Sequence, residues 1–313
     1  MIKPLTCFFF VPGISDKFQS GGLLVIRTLA ELFKKIPGAD TKIVTTHEES
    51  ADSMTPEDAF EYAQNHDSLF IVTWGPLVEK HIKLIKKNMP KAHILYYAQS
   101  FGWKIKVPRD VPIACVSRYV MANWTQRAPE NFCAYLPPPL NPKCKLTNRL
   151  RDIDILLHKR KQNSYCLNKL LPALQKENLK IEVLDSWTPQ EDFFALLNRS
   201  KIFLYITAQH RAGLFRKLPG EGFGLPALEA VICGAIVGSN LSGGVTDFLI
   251  SGENCIKLRD ENLHFDIAQI KKALANFSVN EASLADLSKE YSQDAVLQRW
   301  TRLLETLSAD VVQ

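Results

Sequence analysis

Short apolar runs alternate along the chain with stretches whose apolar positions recur at helical spacing, the pattern of an α/β protein. Residues 6–11 read as a first strand and 41–46 as a second. Between them, 21–35 reads as a helix with Leu24, Val25, Leu29, Leu32 and Phe33 on one side. Further strands are read at 69–73, 93–98 and 113–117. The run Tyr135-Leu-Pro-Pro-Pro-Leu-Asn-Pro142 excludes helix and interior strand, because each proline lacks an N–H and fixes its φ, so a linker is placed there. Beyond it the alternation restarts, with strands at 152–157, 180–184 and 201–207 and helical patterns at 164–175 and 191–197. A last helical pattern at 292–307 runs through Val296, Trp300, Leu303 and Leu304. The expected domains are 1–142 and 143–290, followed by a terminal segment, 291–313.

Bulk properties narrow the picture without deciding it. A chain of 313 residues, 46% hydrophobic and 23% charged, has room for two ordinary globular domains with adequate cores. The apolar N-terminal run ends at Pro12-Gly13 and is too short for a membrane span, so it reads as a buried strand and turn, with no secretory leader expected. Seven cysteines lie scattered without metal-type pairs, as in a reducing, cytoplasmic compartment with free thiols. A net charge of +5 is too modest to argue for nucleic acid. The run from Lys80 to Lys91 (Lys80, Lys83, Lys86, Lys87, Lys91) reads either as a solvated helix face or as a basic face resting on an anionic membrane surface, which would make the protein peripheral at the inner face of the membrane.

The chemistry is concentrated in Glu221-Gly-Phe-Gly-Leu-Pro-Ala-Leu-Glu229. Gly222 and Gly224 allow positive φ or close approach to a ligand, and Pro226 suits the first turn of a helix. The turn therefore sits at a helix N-terminus, where free N–H groups and the helix dipole favour a phosphate. Two carboxylates flank it as acceptors for hydroxyls. The continuation to Gly234, a strand at 235–239 and the loop Gly243-Gly244-Val245 completes an order and spacing that resembles the C-terminal half of a GT-B retaining glycosyltransferase, of the glycosyltransferase family 4 or "glycosyl transferases group 1" type. Gln19-Ser-Gly-Gly22, one strand into the chain, is a second match.

The resemblance implies two Rossmann-like domains facing a central cleft, with the last helix crossing back to the first domain. Glu221 would support the anomeric centre of the donor sugar and Glu229 would bind the nucleotide ribose. Main-chain groups at Phe223, Gly224 and Leu225 would hold sugar hydroxyls and phosphate, and Gly21 and Gly22 would let the diphosphate or the acceptor approach the first helix. The family's Arg and Lys for the diphosphate have no counterparts at the usual spacing. Lys159, Arg160 and Lys161 take that role as a cluster, with none preferred. Where the family carries a histidine near sugar and acceptor, Gln99 and Ser100 stand instead, and neither is a base at neutral pH. Residues 208–220 are longer than the family's link and read either as a lid or acceptor-recognition loop or as a tolerated insertion. Asp152-Ile-Asp154 falls in a strand, and no other metal-ligand spacing is seen, so neither a metal nor a cofactor is expected.

The expected activity is transfer of a sugar from a nucleotide-diphospho-sugar to a glycan or lipid-linked acceptor, in cell-envelope or polysaccharide assembly. A degenerate nucleotide-sugar-binding or scaffold protein on the same fold is the first rival. A dinucleotide oxidoreductase is a weaker second, because no Gly-x-Gly-x-x-Gly follows the first strand, and a nucleotide-sugar epimerase on the same two-domain scaffold, which would need no acceptor, is a third.

Overall fold

The computed structural model describes residues 5–73, 75–207, 209–212 and 216–309. In chain order the elements of the first half are β1 (Leu5–Val11), α1 (Gly21–Phe33), β2 (Ala39–Thr45), α2 (Pro56–Ala63), β3 (Ser68–Val72), α3 (Val78–Asn88), β4 (His93–Ala98), β5 (Ile113–Cys115), α4 (Arg118–Arg127) and β6 (Cys133–Tyr135). Then come β7 (Ile153–His158), α5 (Leu171–Leu174), β8 (Ile181–Leu184), α6 (Gln190–Arg199), β9 (Ser200–Tyr205), β10 (Gln209–Ala212) and β11 (Arg216–Pro219). The remainder is α7 (Leu225–Ile232), β12 (Ile236–Ser239), β13 (Cys255–Lys257), α8 (Leu263–Ala275), α9 (Glu281–Glu290) and α10 (Gln293–Ala309). They form two compact units, one of the described residues up to Pro139 together with the segment from Gln293, the other from Leu140 to Ser292.

The first unit is a six-stranded parallel sheet of order β2-β1-β3-β4-β5-β6. One strand in from its edge is β1, paired on both sides, where Cys7, Phe8, Phe9, Phe10 and Val11 are all buried, as expected of a strand covered on both faces. Phe8 stacks on Phe70 of β3 with centroids 5.1 Å apart, and Phe9 meets Phe33 of α1 edge-on at 5.4 Å. Each such ring contributes roughly 1.5–3 kcal/mol by leaving water. Helix α10 belongs to this unit: its buried Trp300 packs edge-on against Phe33 at 5.0 Å and Tyr97 at 5.3 Å. The chain leaves β1 for β2 on one side and returns to β3 on the other. In such a sheet, ligands bind outside the carboxyl ends of the strands at that reversal, here β1 and β3.

The second unit is a five-stranded parallel sheet of order β13-β12-β9-β7-β8. Its reversal falls between β7 and β9. These two sheets make the α/β fold class two Rossmann-like domains, as the resemblance implies.

Local chemistry moves several boundaries. Strand β5 stops at Cys115, short of Ser117, because the Ser117 side chain accepts from the Val120 N–H at 3.0 Å and caps α4. Helix α2 begins at a capping box in which Thr55 and Asp58 satisfy each other's backbone N–H groups. The helical stretch before and through α5 widens to a π turn at Cys166–Leu170. Pro172 lacks the N–H that Asn168 would need, and its ring crowds that carbonyl. The stretch 208–220 is not loop throughout, since β10 and β11 pair antiparallel from Gln209↔Pro219 to Ala212↔Arg216. Asp152 and Asp154 are held by bases: Asp152 by Arg199 and Lys180, Asp154 by Lys201 at 2.7 Å. All seven cysteines are free thiols, and no helix among the described residues is long and apolar enough to cross a membrane.

Candidate functional site

The second unit gathers the glutamate turn, the loop after β7 and the loop after β12 at one end of its sheet. The turn from Glu221 to Gly224 enters α7 through Gly224, whose φ of +94° lies in the left-handed region. A Cβ at Gly224 would also stand 2.4 Å from Val245 Cγ1, so glycine is required twice over. The loop after β12 lies against this turn. Gly244 N–H donates to the Glu221 carbonyl at 3.1 Å, and a Cβ on Gly244 would meet the Gly222 carbonyl oxygen at 2.0 Å. The turn and the Gly243-Gly244 loop are thus packed main chain to main chain.

Glu221 is held from the sheet side. The hydroxyl of Tyr205, the last residue of β9, donates to Glu221 Oε2, and Lys161 Nζ lies 3.5 Å from the same oxygen. Tyr205 is fully buried, and burial beside two carboxylates pushes its phenol well above the usual range, so it acts as a donor. Both partners use Oε2. No contact to Oε1 is present among the described residues, which leaves this oxygen for a ligand hydroxyl.

Glu229 sits one turn into α7 and is 4% exposed. Neither hydrogen bond nor ion pair reaches its carboxyl group among the described residues, and desolvation raises its pKa to about 8. A buried carboxyl without a partner is costly. Such a group is a functional-site candidate.

The basic cluster separates. Lys159 pairs with Asp185 beyond β8. Arg160 has its main chain tied to His158 at 3.3 Å and its side chain exposed. Only Lys161 is brought to Glu221. The ion pair is partly exposed, so it adds little to stability, but it fixes a cation beside the carboxylate.

In the first unit, Gly21 and Gly22 open α1, with Ser20 as its cap, accepting from Leu23 N–H at 3.2 Å. Gln99 Nε2 donates to the Gly22 carbonyl at 3.2 Å, so the residue after β4 is joined to the start of α1. Ser100 Oγ accepts from Trp103 Nε1 at 2.7 Å. Sequence reasoning did not single out Tyr205, which the structure brings to Glu221. Tyr205 was legible only as a polar-tipped aromatic closing an apolar run. His210, Arg211, Arg216 and Lys217 lie on β10 and β11, where the backbone alone is described.

No family model matches the chain, and no curated protein matches it. Solved structures do. Sucrose-phosphate synthase from Thermosynechococcus elongatus aligns with a TM-score of 0.69 at 14% identity, over 98% of this chain and 100% of that one. HepE from Anabaena, in complex with UDP and glucose, gives 0.69 at 11% identity, over 96% and 99%. A glycosyltransferase from Rickettsia africae gives 0.64 at 14%, over 98% and 99%. The chain is similar to these proteins in fold, which is the GT-B fold of two Rossmann-like domains.

Two outcomes follow from this geometry. The Glu229 carboxyl titrates near 4.5 when unfolded and about 8 when folded, so below pH 4.5 both states are protonated. As pH rises from there to 8 the unfolded chain loses the proton first, and stability falls, by an amount on the order of a few kcal/mol. Urea unfolding from pH 5 to 9 should show this slope, and Glu229→Gln should flatten it; an unchanged slope contradicts the assignment. Tyr205→Phe keeps the ring and removes the hydrogen bond to a charged group, worth about 1.5–3 kcal/mol. A double-mutant cycle with Glu221→Ala, which removes the acceptor, should recover most of that as coupling, whereas additivity within about 0.5 kcal/mol would mean the contact is absent in solution.

Proposed function

We propose that the protein is a retaining, metal-independent glycosyltransferase that moves a sugar from a nucleotide-diphospho-sugar to a hydroxyl on a glycan or lipid-linked acceptor. The observation that carries this reading is Glu221, oriented through one carboxylate oxygen by Tyr205 and Lys161 beside the N-terminus of α7, with the unpartnered Glu229 one turn further on. Structural likeness to proteins such as HepE, which binds UDP and glucose, supports it.

In this reading the nucleotide lies on the second unit. The ribose hydroxyls donate to Glu229. The diphosphate meets the opening N–H groups of α7, with Phe223, Gly224 and Leu225 contributing main chain, and takes Arg160 and Lys161 as cations. Glu221 Oε1 accepts from a sugar hydroxyl and offsets positive charge at the anomeric carbon as the bond to the diphosphate breaks. The electron pair leaves with the phosphate oxygen. The acceptor oxygen bonds to the anomeric carbon on the face of departure, and its proton passes to that phosphate oxygen. No enzymic base is needed, which suits Gln99 and Ser100 on the first unit, where Gly21, Gly22 and these two residues would serve donor phosphate and acceptor. Metal independence suits the Asp-x-Asp carboxylates being taken up by Lys180, Arg199 and Lys201.

Glycan or cell-envelope assembly in a reducing, cytoplasmic compartment is the setting we infer, with seven free thiols in support. Membrane attachment would rest on α3. There Lys83 pairs with Glu79 and Lys86 with Asp110, leaving Lys80 and Lys87 exposed to an anionic surface, with Lys91 exposed just beyond the end of the helix at Asn88.

One observation favours the binding-only alternative. Lys159 is paired with Asp185 and Lys161 with Glu221, so Arg160 alone of the cluster has no carboxylate partner among the described residues. Donor turnover separates the two readings. Wild-type protein given UDP-, GDP- and ADP-sugars should release nucleoside diphosphate with one of them, slowly to water and faster to acceptor. The new linkage should keep the donor's anomeric configuration by NMR. Glu221→Gln should bind that donor within a few-fold of wild type and lose about 100-fold in turnover, the scale of removing one electrostatic group from a transition state. Turnover within a few-fold of wild type would refute the role, and binding without turnover in the wild type would select the alternative.

A further inference from the structure

Exposed large apolar side chains are scattered over the molecule, and their place relative to the two sheets sorts them. Phe132 directly precedes β6 and so lies at the amino end of its strand, away from the ligand-binding edge. Trp187 follows β8, the outermost strand of its sheet. Trp103 differs from both. It follows β4 and leans on Gly75, just beyond β3, one of the two strands at the reversal of the first sheet.

Trp103 is 37% exposed yet held in place. Its indole Nε1 donates to Ser100 Oγ at 2.7 Å, so its polar atom is satisfied within the protein. Gly75 gives it room: a Cβ there would stand 2.1 Å from Nε1 and displace the ring. The loop that carries it is pinned on both sides. Gln99 is tied to the Gly22 carbonyl, the Ser100 carbonyl accepts from the buried Trp124 Nε1 at 3.4 Å, and Lys106 N–H donates to Glu79 Oε2 at 3.1 Å. An aromatic side chain that the fold could have buried is instead fixed with part of its surface in water. Such rigidity lowers the ordering cost of binding.

We propose that Trp103 is the platform for a pyranose ring of the acceptor. A sugar presents a face of C–H groups to the ring's electron-rich surface and a rim of hydroxyls to polar neighbours. The neighbours here are polar: Gln99 and Ser100 on one side, Lys104 and Lys106 exposed on the other. A lipid chain would want contiguous apolar surface, and this patch has a single exposed aromatic among polar groups. The inference rests on the glycosyltransferase reading and narrows its acceptor to a carbohydrate.

The test is saturation-transfer NMR on the full chain, with and without UDP. The probes are the methyl glycosides of glucose, galactose, mannose and N-acetylglucosamine, with a medium-chain alkyl phosphate as the lipid-like arm. At least one glycoside should receive saturation at its ring C–H protons from wild type. In Trp103→Ala that transfer should fall about tenfold, and Trp103→Phe should recover part of it. Equal transfer in wild type and Trp103→Ala, absence of transfer to every glycoside, or transfer only to the alkyl phosphate would overturn the proposal. Nucleotide binding, read by thermal shift on the same samples, should be unchanged in both variants. If none of UDP, GDP and ADP shifted the wild type, the transferase reading would be defeated instead, whatever the glycosides do.

Discussion

The contact between the Glu221–Gly224 turn and the Gly243-Gly244 loop is the constraint on which the second unit's ligand face depends. Two main-chain segments from different strand ends touch with no room for a Cβ between them, and one N–H of the second holds the carbonyl of Glu221. The turn then has a single way into α7, through a left-handed Gly224. That entry fixes where Glu221 stands, where the helix presents its N-terminal N–H groups, and how far along its axis Glu229 is buried.

Around this frame the charges are arranged asymmetrically. Glu221 has one oxygen occupied by a buried phenol and a lysine and the other unclaimed. Glu229 has no partner and stands far above its ordinary pKa through desolvation alone. A protein selecting only for stability would fill position 229 with an apolar side chain. Retaining a carboxyl there lowers stability at neutral pH, and a buried, unpartnered carboxyl with so raised a pKa is the kind of group that marks a functional site. The first unit also holds a tryptophan, Trp103, fixed near the carboxyl end of its sheet with part of it kept in water.

Much of the fold was legible in the sequence because it depends on local pattern. The unbroken Cys-Phe-Phe-Phe-Val run marks a strand covered on both faces, and the prolines after Tyr135 interrupt the alternation. The nine residues from Glu221 carry their own turn, cap and helix start. What was not legible depends on partners distant in sequence. Nothing near Lys159 or Lys161 says that one faces Asp185 and the other Glu221, since that is set by the pairing of β7 with β8 and β9. Tyr205 looks like any strand aromatic until the turn sixteen residues later folds its carboxylate over the hydroxyl. Ser117 and Pro172 show the intermediate case. Their chemistry is local, and capping or helix widening could have been read from it, but apolar neighbours masked the signal. The pairing of β10 with β11 had no cue in a stretch rich in cations and glycine.

The most direct test of the account is calorimetric titration of the protein with UDP, GDP and ADP at pH 7, in two buffers of different ionisation enthalpy. If ribose hydroxyls donate to Glu229, binding lowers a pKa that stands at about 8 in the free protein, and the fitting nucleotide should release most of one proton, a release lost in Glu229→Gln. Binding with no proton release, or with the same release in the variant, would contradict the account. So would the failure of all three nucleotides to bind.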